Sequence, residues 1–208
     1  MLKPDEITAE SFRIIDAEVG EHGFDAVTWP VVQRIIHAAG DVDLVQAVHF
    51  HRDAARAGVR ALQAGTPLVT DVRMVAAGVR QQALSALGLA LHCFIDAPDV
   101  QQQAQATGHT RSFCAMQHAV AMVGPAVYVI GNAPTALLAL CDSVRQGLVR
   151  PHLIVAMPVG FVSVVESKEQ ALTLDVPVIT IHGRKGGSAV AAATINALLI
   201  MAQQKQSL

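Results

Sequence analysis

An α/β fold with a mostly parallel sheet of about five strands is what this 208-residue sequence predicts. Three observations carry that prediction. Residues 127–130, Val-Tyr-Val-Ile, form an apolar run rich in β-branching, the pattern of a strand buried on both faces. Runs of the same kind return at 153–157, Leu-Ile-Val-Ala-Met, and at 178–181, Val-Ile-Thr-Ile. Each run breaks at Gly, Pro or Asn before a helical stretch, so strand, loop and helix alternate as in parallel α/β sheets. Ligands of open α/β sheets gather beyond the carboxyl ends of the strands. The loops at 131–134, 158–160 and 183–188 are therefore expected to share one rim that carries the function.

Taken in order, Thr8 is placed to cap a first helix with Phe12, Ile15 and Val19 on one side and Gly20 as its stop. A loop with Gly23, Trp29 and Pro30 leads into a short helix over 31–39, ended by Gly40. After Asp43, the spacing of Leu44, Val48, Ala55, Val59 and Leu62 predicts one longer helix, stopped by Gly65 and Pro67. Residues 68–75 are the first strand candidate, interrupted by Asp71 and Arg73. Charges within a buried run mark either a strand end or a functional site. A helix over 81–87 and a strand over 90–95 follow. Thr110 or Ser112 then caps a helix that precedes the strand at 127. After that strand, Asn132 is placed as a cap and Pro134 as the first-turn proline. No linker or charge block divides the chain. One domain over 1–208 is expected, with N-terminal helices of 1–65 packing on a sheet unit of 66–208.

Composition narrows the function. Fifteen basic and 17 acidic residues give a net charge of −2 with no basic run, which does not support nucleic-acid binding. Only 15% of residues are charged and mean hydropathy is +0.40; a doubly covered sheet with Ala-rich helices accounts for this, as does apolar surface buried between subunits, and a homo-oligomer is expected. The opening Met-Leu-Lys-Pro-Asp-Glu lacks the apolar core of a signal peptide, so a cytoplasmic protein is expected. Residues 119–140 are very apolar, but Gly124, Pro125, Gly131, Asn132 and Pro134 argue against a membrane span. Cys93, Cys114 and Cys141 lack metal-ligand spacing and read as reduced core thiols.

Among the nine histidines, His37 has the most suggestive neighbours: Arg34 three residues back and Asp41 four ahead. An imidazole between a guanidinium and a carboxylate suits general acid catalysis. By spacing alone, an ordinary histidine ending an amphipathic helix is the weightier reading. His49 and His51 are expected on different sides of a helix, which disfavours a metal pair. The Gly-Arg-Lys-Gly-Gly-Ser loop at 183–188 combines adjacent glycines with Arg184 and Lys185, the makings of an anion site at a helix start. It does not match a P-loop, and a glycine-rich turn with solvated cations is the plain alternative. Lys168 beside Ser167, and Arg111 between Thr110 and Ser112, also put a cation next to a hydroxyl near a helix start. Several such loops would suit a ligand with many carboxylates.

The chain resembles the precorrin-8X methylmutase family, whose cobalt-pathway members are cobalt-precorrin-8 methylmutases of cobalamin biosynthesis. The resemblance rests on Ser-Phe-Arg-Ile-Ile at 11–15, Arg-Ile-Ile-His at 34–37 and Thr-Asp-Val-Arg-Met-Val at 70–75. It continues through Cys-Phe-Ile-Asp at 93–96, Thr-Arg-Ser at 110–112, Ile-Gly-Asn-Ala-Pro-Thr at 130–135, Glu-Ser-Lys-Glu at 166–169 and the glycine loop at 183–188. Ser163-Val-Val and His182 depart from the residues common in the family. The resemblance implies a Rossmann-like three-layer fold and an isomerase that moves a methyl group from C-11 to C-12 of a corrin precursor. It implies a homodimer whose subunits jointly bound the tetrapyrrole pocket, with no cofactor and no metal held by the protein. The catalytic histidine falls on His37. Substrate contacts are expected at Ser11, Arg34, Thr70, Asp71, Arg111 and Ser112. Further contacts are expected at Gly131, Asn132, Lys168, Arg184, Lys185 and Gly186. The competing reading is a carrier that binds a corrinoid without transforming it; a nucleotide-dependent enzyme using the 183–188 loop is weaker.

Overall fold

Six strands lie side by side in one sheet of the computed structural model, which describes residues 4–204, with side chains from residue 6 onward. They are β1 (Val48–His51), β2 (Leu68–Thr70), β3 (Leu91–His92), β4 (Val127–Ile130), β5 (Leu153–Ala156) and β6 (Val178–Ile181), in the order β1-β6-β5-β4-β2-β3. β2 through β6 are parallel, and β1 runs antiparallel along β6. Side-chain alternation divides the central strands between two cores. Val127, Val129, Leu153 and Val155 face one; Tyr128, Ile130, Ile154 and Ala156 face the other.

Helices cover both faces. On the first, α10 (Ser188–Gln203) packs against α2 (Trp29–Ala39), α3 (Ala54–Gln63), α4 (Arg73–Gly78) and α5 (Gln81–Leu87), with α1 (Pro4–Val19) outside α2. On the second, α7 (Arg111–Val123), α8 (Pro134–Arg145) and α9 (Val164–Leu172) lie side by side, with α6 (Pro98–Thr107) on α7. The result is the three-layer α/β arrangement expected.

The main departure is at 42–63. The single helix expected there is instead a 3₁₀ turn (Val42–Gln46), then β1, then α3. Arg52 and Asp53 take φ of +55° and +52°, and two consecutive left-handed residues cannot continue a helix. Val48 to His51 alternates apolar residues with imidazoles, the period of a strand. The N-terminal third is therefore stitched into the sheet through the pairing of β1 with β6. Smaller departures follow local rules. Helix α1 begins at Pro4, upstream of Thr8, and Pro30 sits in the first turn of α2 rather than in a loop. The strand expected over 68–75 ends at Thr70, where Asp71 interrupts it, and the remainder forms α4. The strand over 90–95 shortens to two residues. Helix α6 carries no strong periodic signal and was not expected.

The chain path places the topological switch point. From β2 it moves outward to β3, whereas β4, β5 and β6 add successively in the other direction. The crevice where such folds hold ligands therefore opens beyond the carboxyl ends of β2 and β4.

Candidate active site

That crevice is closed from within. Asp71 follows β2 and is only 2% exposed. Its carboxylate accepts the backbone N–H groups of Gly131 at 3.0 Å, Asn132 at 2.9 Å and Ala133 at 2.8 Å, at the start of α8. Asn132 is therefore not the cap of α8: the acceptor comes from Asp71, sixty positions away. A negative charge at a helix N-terminus is favourable, although burial outweighs these bonds and raises the carboxyl's pKa above the ordinary range. Expected as substrate contacts, Asp71, Gly131 and Asn132 are brought together here, but their backbone N–H groups and carboxylate bind one another. The same plug occupies the place where a dinucleotide's pyrophosphate would sit. Thr70 is buried beside it, its hydroxyl 3.4 Å from the carbonyl of His92.

The loop after β6 is built around the opposite charge. Lys168, on α9 and 2% exposed, donates to the carbonyls of Gly183 at 3.0 Å and Lys185 at 2.7 Å. Burial lowers its pKa to about 8. Gly187 donates to the carbonyl of Met157 at 2.9 Å, and a Cβ on Gly186 would stand 2.5 Å from that oxygen. Only glycine allows this approach. The Gly187 N–H is thus spent inside the fold, while Arg184 and Lys185 give the loop its positive charge. Arg184 lies over the ring of Phe161, 5.3 Å from its centroid.

His37 is exposed near the C-terminal end of α2, with Gly40 in the left-handed conformation as the helix stop. Its ring meets Phe12 edge-on at 5.5 Å, and the guanidinium of Arg34 lies 5.3 Å from the centre of the same Phe12 ring. Ser11 turns its hydroxyl back to the carbonyl of Ile7. The Asp41 carboxylate, expected to flank His37, instead binds the ammonium of Lys185 and accepts the Asp43 N–H at 3.1 Å. The ion pair lowers the pKa of Asp41 and raises that of Lys185.

Short contacts then join these groups along the rim. Lys185 and Asp41 tie the end of the His37 helix to the 183–187 loop. Gly131 is packed so tightly that a Cβ there would come within 2.9 Å of Ser188 Cα, which joins the loops after β4 and β6. The Thr110 hydroxyl caps α7 and bonds the Thr135 hydroxyl at 2.8 Å, bringing Arg111 and Ser112 at the start of α7 to the start of α8. The three glycine-bearing loops thus lie on one edge, as expected.

Sequence reasoning missed the apolar component of this rim. Val159, Phe161 and Val162 follow β5 and Met74 is the second residue of α4, all exposed; Phe161 is 83% and Val162 80% accessible. Four of the eight large exposed apolar residues among those described therefore fringe the rim. A cavity of about 260 Å³ lies elsewhere, among α1, α2, α3 and the end of α10. Phe12 and Arg34 are among its walls; His37 and the glycine loops are not, so the chemistry is assigned to the rim. His49 and His51, expected on different sides of a helix, share one face of β1 with ring centres 6.5 Å apart, and His182 lies 5.2 Å from His49. Burial and these neighbouring imidazoles lower the pKa of His49. Among the described residues no group of three His, Cys, Asp or Glu can hold a metal ion, and no helix is long and apolar enough to cross a membrane.

Comparison with known proteins gives the family. The family described as precorrin-8X methylmutase matches residues 6–201. A cobalt-precorrin-8 methylmutase of Priestia megaterium is 40% identical over 201 residues, covering 97% of this chain and 89% of its own. A precorrin-8X methylmutase of Pseudomonas aeruginosa is 42% identical over 194 residues, covering 92% and 93%. The crystal structure of the precorrin-8X methyl mutase of Thermus thermophilus superposes with a TM-score of 0.87 at 40% identity, covering 94% of this chain and 96% of that one. With the family matched across nearly the whole chain and its fold reproduced, this protein belongs to the precorrin-8X methylmutase family.

Proposed function

We propose that this chain is an isomerase of cobalamin biosynthesis that moves a methyl group from C-11 to C-12 of precorrin-8X or its cobalt form, with His37 as the general acid. Family membership supports the reaction class. The single observation that carries the site assignment is the rim itself, where exposed Met74, Val159, Phe161 and Val162 share one edge with Arg111, Arg184 and Lys185, and Lys185 meets the His37 helix end through Asp41. A flat apolar macrocycle fringed with acetates and propionates needs this mixture of apolar walls and cations. The shift breaks one C–C bond and makes another between neighbouring ring carbons, with no net change in atoms or electrons. What the protein supplies is orientation, exclusion of water and a proton or hydrogen bond from the His37 imidazolium to a ring nitrogen. That donor draws electron density through the conjugated system as the methyl migrates. The single domain acts as a cytoplasmic homodimer, and a second copy closing over the exposed rim would supply the missing wall. The low charge content and the exposed Phe161 and Val162 support that assembly.

The test is conversion of precorrin-8X followed by absorption spectroscopy. An active mutase replaces the substrate's bands with those of a new chromophore, whereas a carrier only perturbs them. His37→Ala is expected to abolish conversion, a loss at least as large as the roughly 10²–10⁴-fold of general acid catalysis. Tetrapyrrole affinity should stay within about tenfold, since binding rests on the rim cations. Wild-type turnover in that variant removes His37 from the mechanism.

A further inference from the structure

Arg73, the first residue of α4, and Arg111, the first of α7, converge on one carboxylate, that of Asp96 in the loop after β3. Arg73 meets it through Nε, and Arg111 Nη1 lies 3.9 Å from its other oxygen. The three residues come from three separate loops and carry a net charge of +1 where β2 and β3 end. The side chains of Arg73 and Arg111 remain 77% and 57% exposed, so the carboxylate fixes the two guanidiniums without covering them. Thr110, bonded to Thr135, anchors the same corner to the start of α8. This cluster lies at the opposite end of the rim from Lys185, Asp41 and the His37 helix. β2 and β6 stand three strands apart in the sheet, about 14 Å at the usual strand spacing. Exposed Met74, next to Arg73, continues the apolar lining to that end.

We infer that Arg73 and Arg111, held side by side by Asp96, form a far anchor that binds one carboxylate arm of the macrocycle on the edge away from the migrating methyl group. This rests on the function proposed above. One guanidinium alone would hold an acid arm loosely. Two drawn to a shared counter-ion hold a carboxylate more firmly and at less cost in side-chain ordering. The His37 end supplies the proton and the Arg73 end sets the register of the ring, so C-11 and C-12 come under the imidazole rather than another pair of ring carbons. Arg73 is thus a specificity-determining contact, and Asp96 is a positioning residue that acts through the two arginines.

Steady-state kinetics and substrate affinity of Arg73→Ala, Arg111→Ala, Asp96→Asn and Asp96→Glu test this, with precorrin-8X and a preparation whose side-chain acids have been converted to amides. Arg73→Ala and Arg111→Ala are expected to raise KM roughly 10- to 100-fold with kcat within about threefold, the signature of a charge-assisted contact made equally in ground and transition states. Each arginine variant should also discriminate less between acid and amide substrates than the wild type. Asp96→Asn should raise KM about tenfold, and Asp96→Glu should recover part of the loss. An unchanged KM in both arginine variants, beside a fully active wild type, overturns the anchor. A lower KM in Asp96→Asn shows Asp96 to be only a competitor for the arginines and overturns its positioning role. A wild type that fails to convert precorrin-8X overturns the function reading instead, and affinity for the acid and amide substrates still tests the anchor.

Discussion

The loops after β4 and β6 meet at Gly131 and Ser188, yet each is built around a buried charge of opposite sign. Asp71 sits under the first and is matched by three backbone N–H groups and the positive end of α8. Lys168 sits under the second and has two carbonyl oxygens as partners but, among the described residues, no carboxylate. A fully bonded buried anion serves the fold, because its field is spent on neighbouring dipoles. A buried cation bonded only to neutral carbonyls keeps much of its field, and that field is available to an anion arriving at Arg184 and Lys185. The difference separates a loop that the structure needs from a loop that, on the proposed function, the substrate needs.

The comparison breaks most directly at Asp71. Asp71→Ala strands two buried N–H groups and one part-buried one, each buried one costing about 1–3 kcal/mol, so a loss of about 3–5 kcal/mol is expected. For a chain of this length that lowers Tm by roughly 6–20 °C in calorimetry. A fall of less than about 3 °C would mean that the loop after β4 does not depend on its internal anion.

Lys168→Met is the sharper test. Two carbonyls lose their donor, but both belong to a loop at the surface and can turn to water, while the cost of burying a charge disappears. Stability should change by less than about 1 kcal/mol. The KM for the tetrapyrrole should rise roughly five- to tenfold, the effect of removing one poorly screened charge near a carboxylate. A large loss of stability with unchanged KM would assign Lys168 to the fold, alongside Asp71.

These two residues also mark how far the sequence could be read. β4, β5 and β6 are buried on both faces, and burial of that kind demands continuous β-branched and aliphatic runs, which show without any partner. β1 is an edge strand whose alternate residues are His49 and His51, while Val48 lies at a spacing from Ala55, Val59 and Leu62 that imitates a helix. Only the backbone at Arg52 and Asp53 separates the two. Asp71 stands out as a charge ending an apolar run, but what it binds lies sixty residues away, and Asn132 beside Pro134 offered a local cap that the fold does not use. Lys168 reads as one more cation at a helix start, because its acceptors are main-chain carbonyls and leave no mark in the sequence. Arg34 and His37 share an element and could be paired by spacing. Their common contact with Phe12 crosses from α2 to α1 and could not.

The smallest effect separates the two loops by pH. The Lys168 ammonium has its pKa lowered to about 8 by burial, against 10.5 for an ordinary lysine. Between those values the folded protein has released a proton that the unfolded chain still holds, so this group makes stability rise with pH across the window. Measured as the difference in unfolding free energy between wild type and Lys168→Met, the wild type should gain about 1 kcal/mol from pH 7 to pH 9. Over the same interval it loses the charge beneath Arg184 and Lys185, so its KM should rise toward that of the variant while the variant's KM shows no corresponding step. Stability and affinity then move in opposite directions with pH, which a purely structural lysine would not produce. A KM that is flat over this interval in the wild type would remove the Lys168 charge from substrate binding and leave only its two hydrogen bonds.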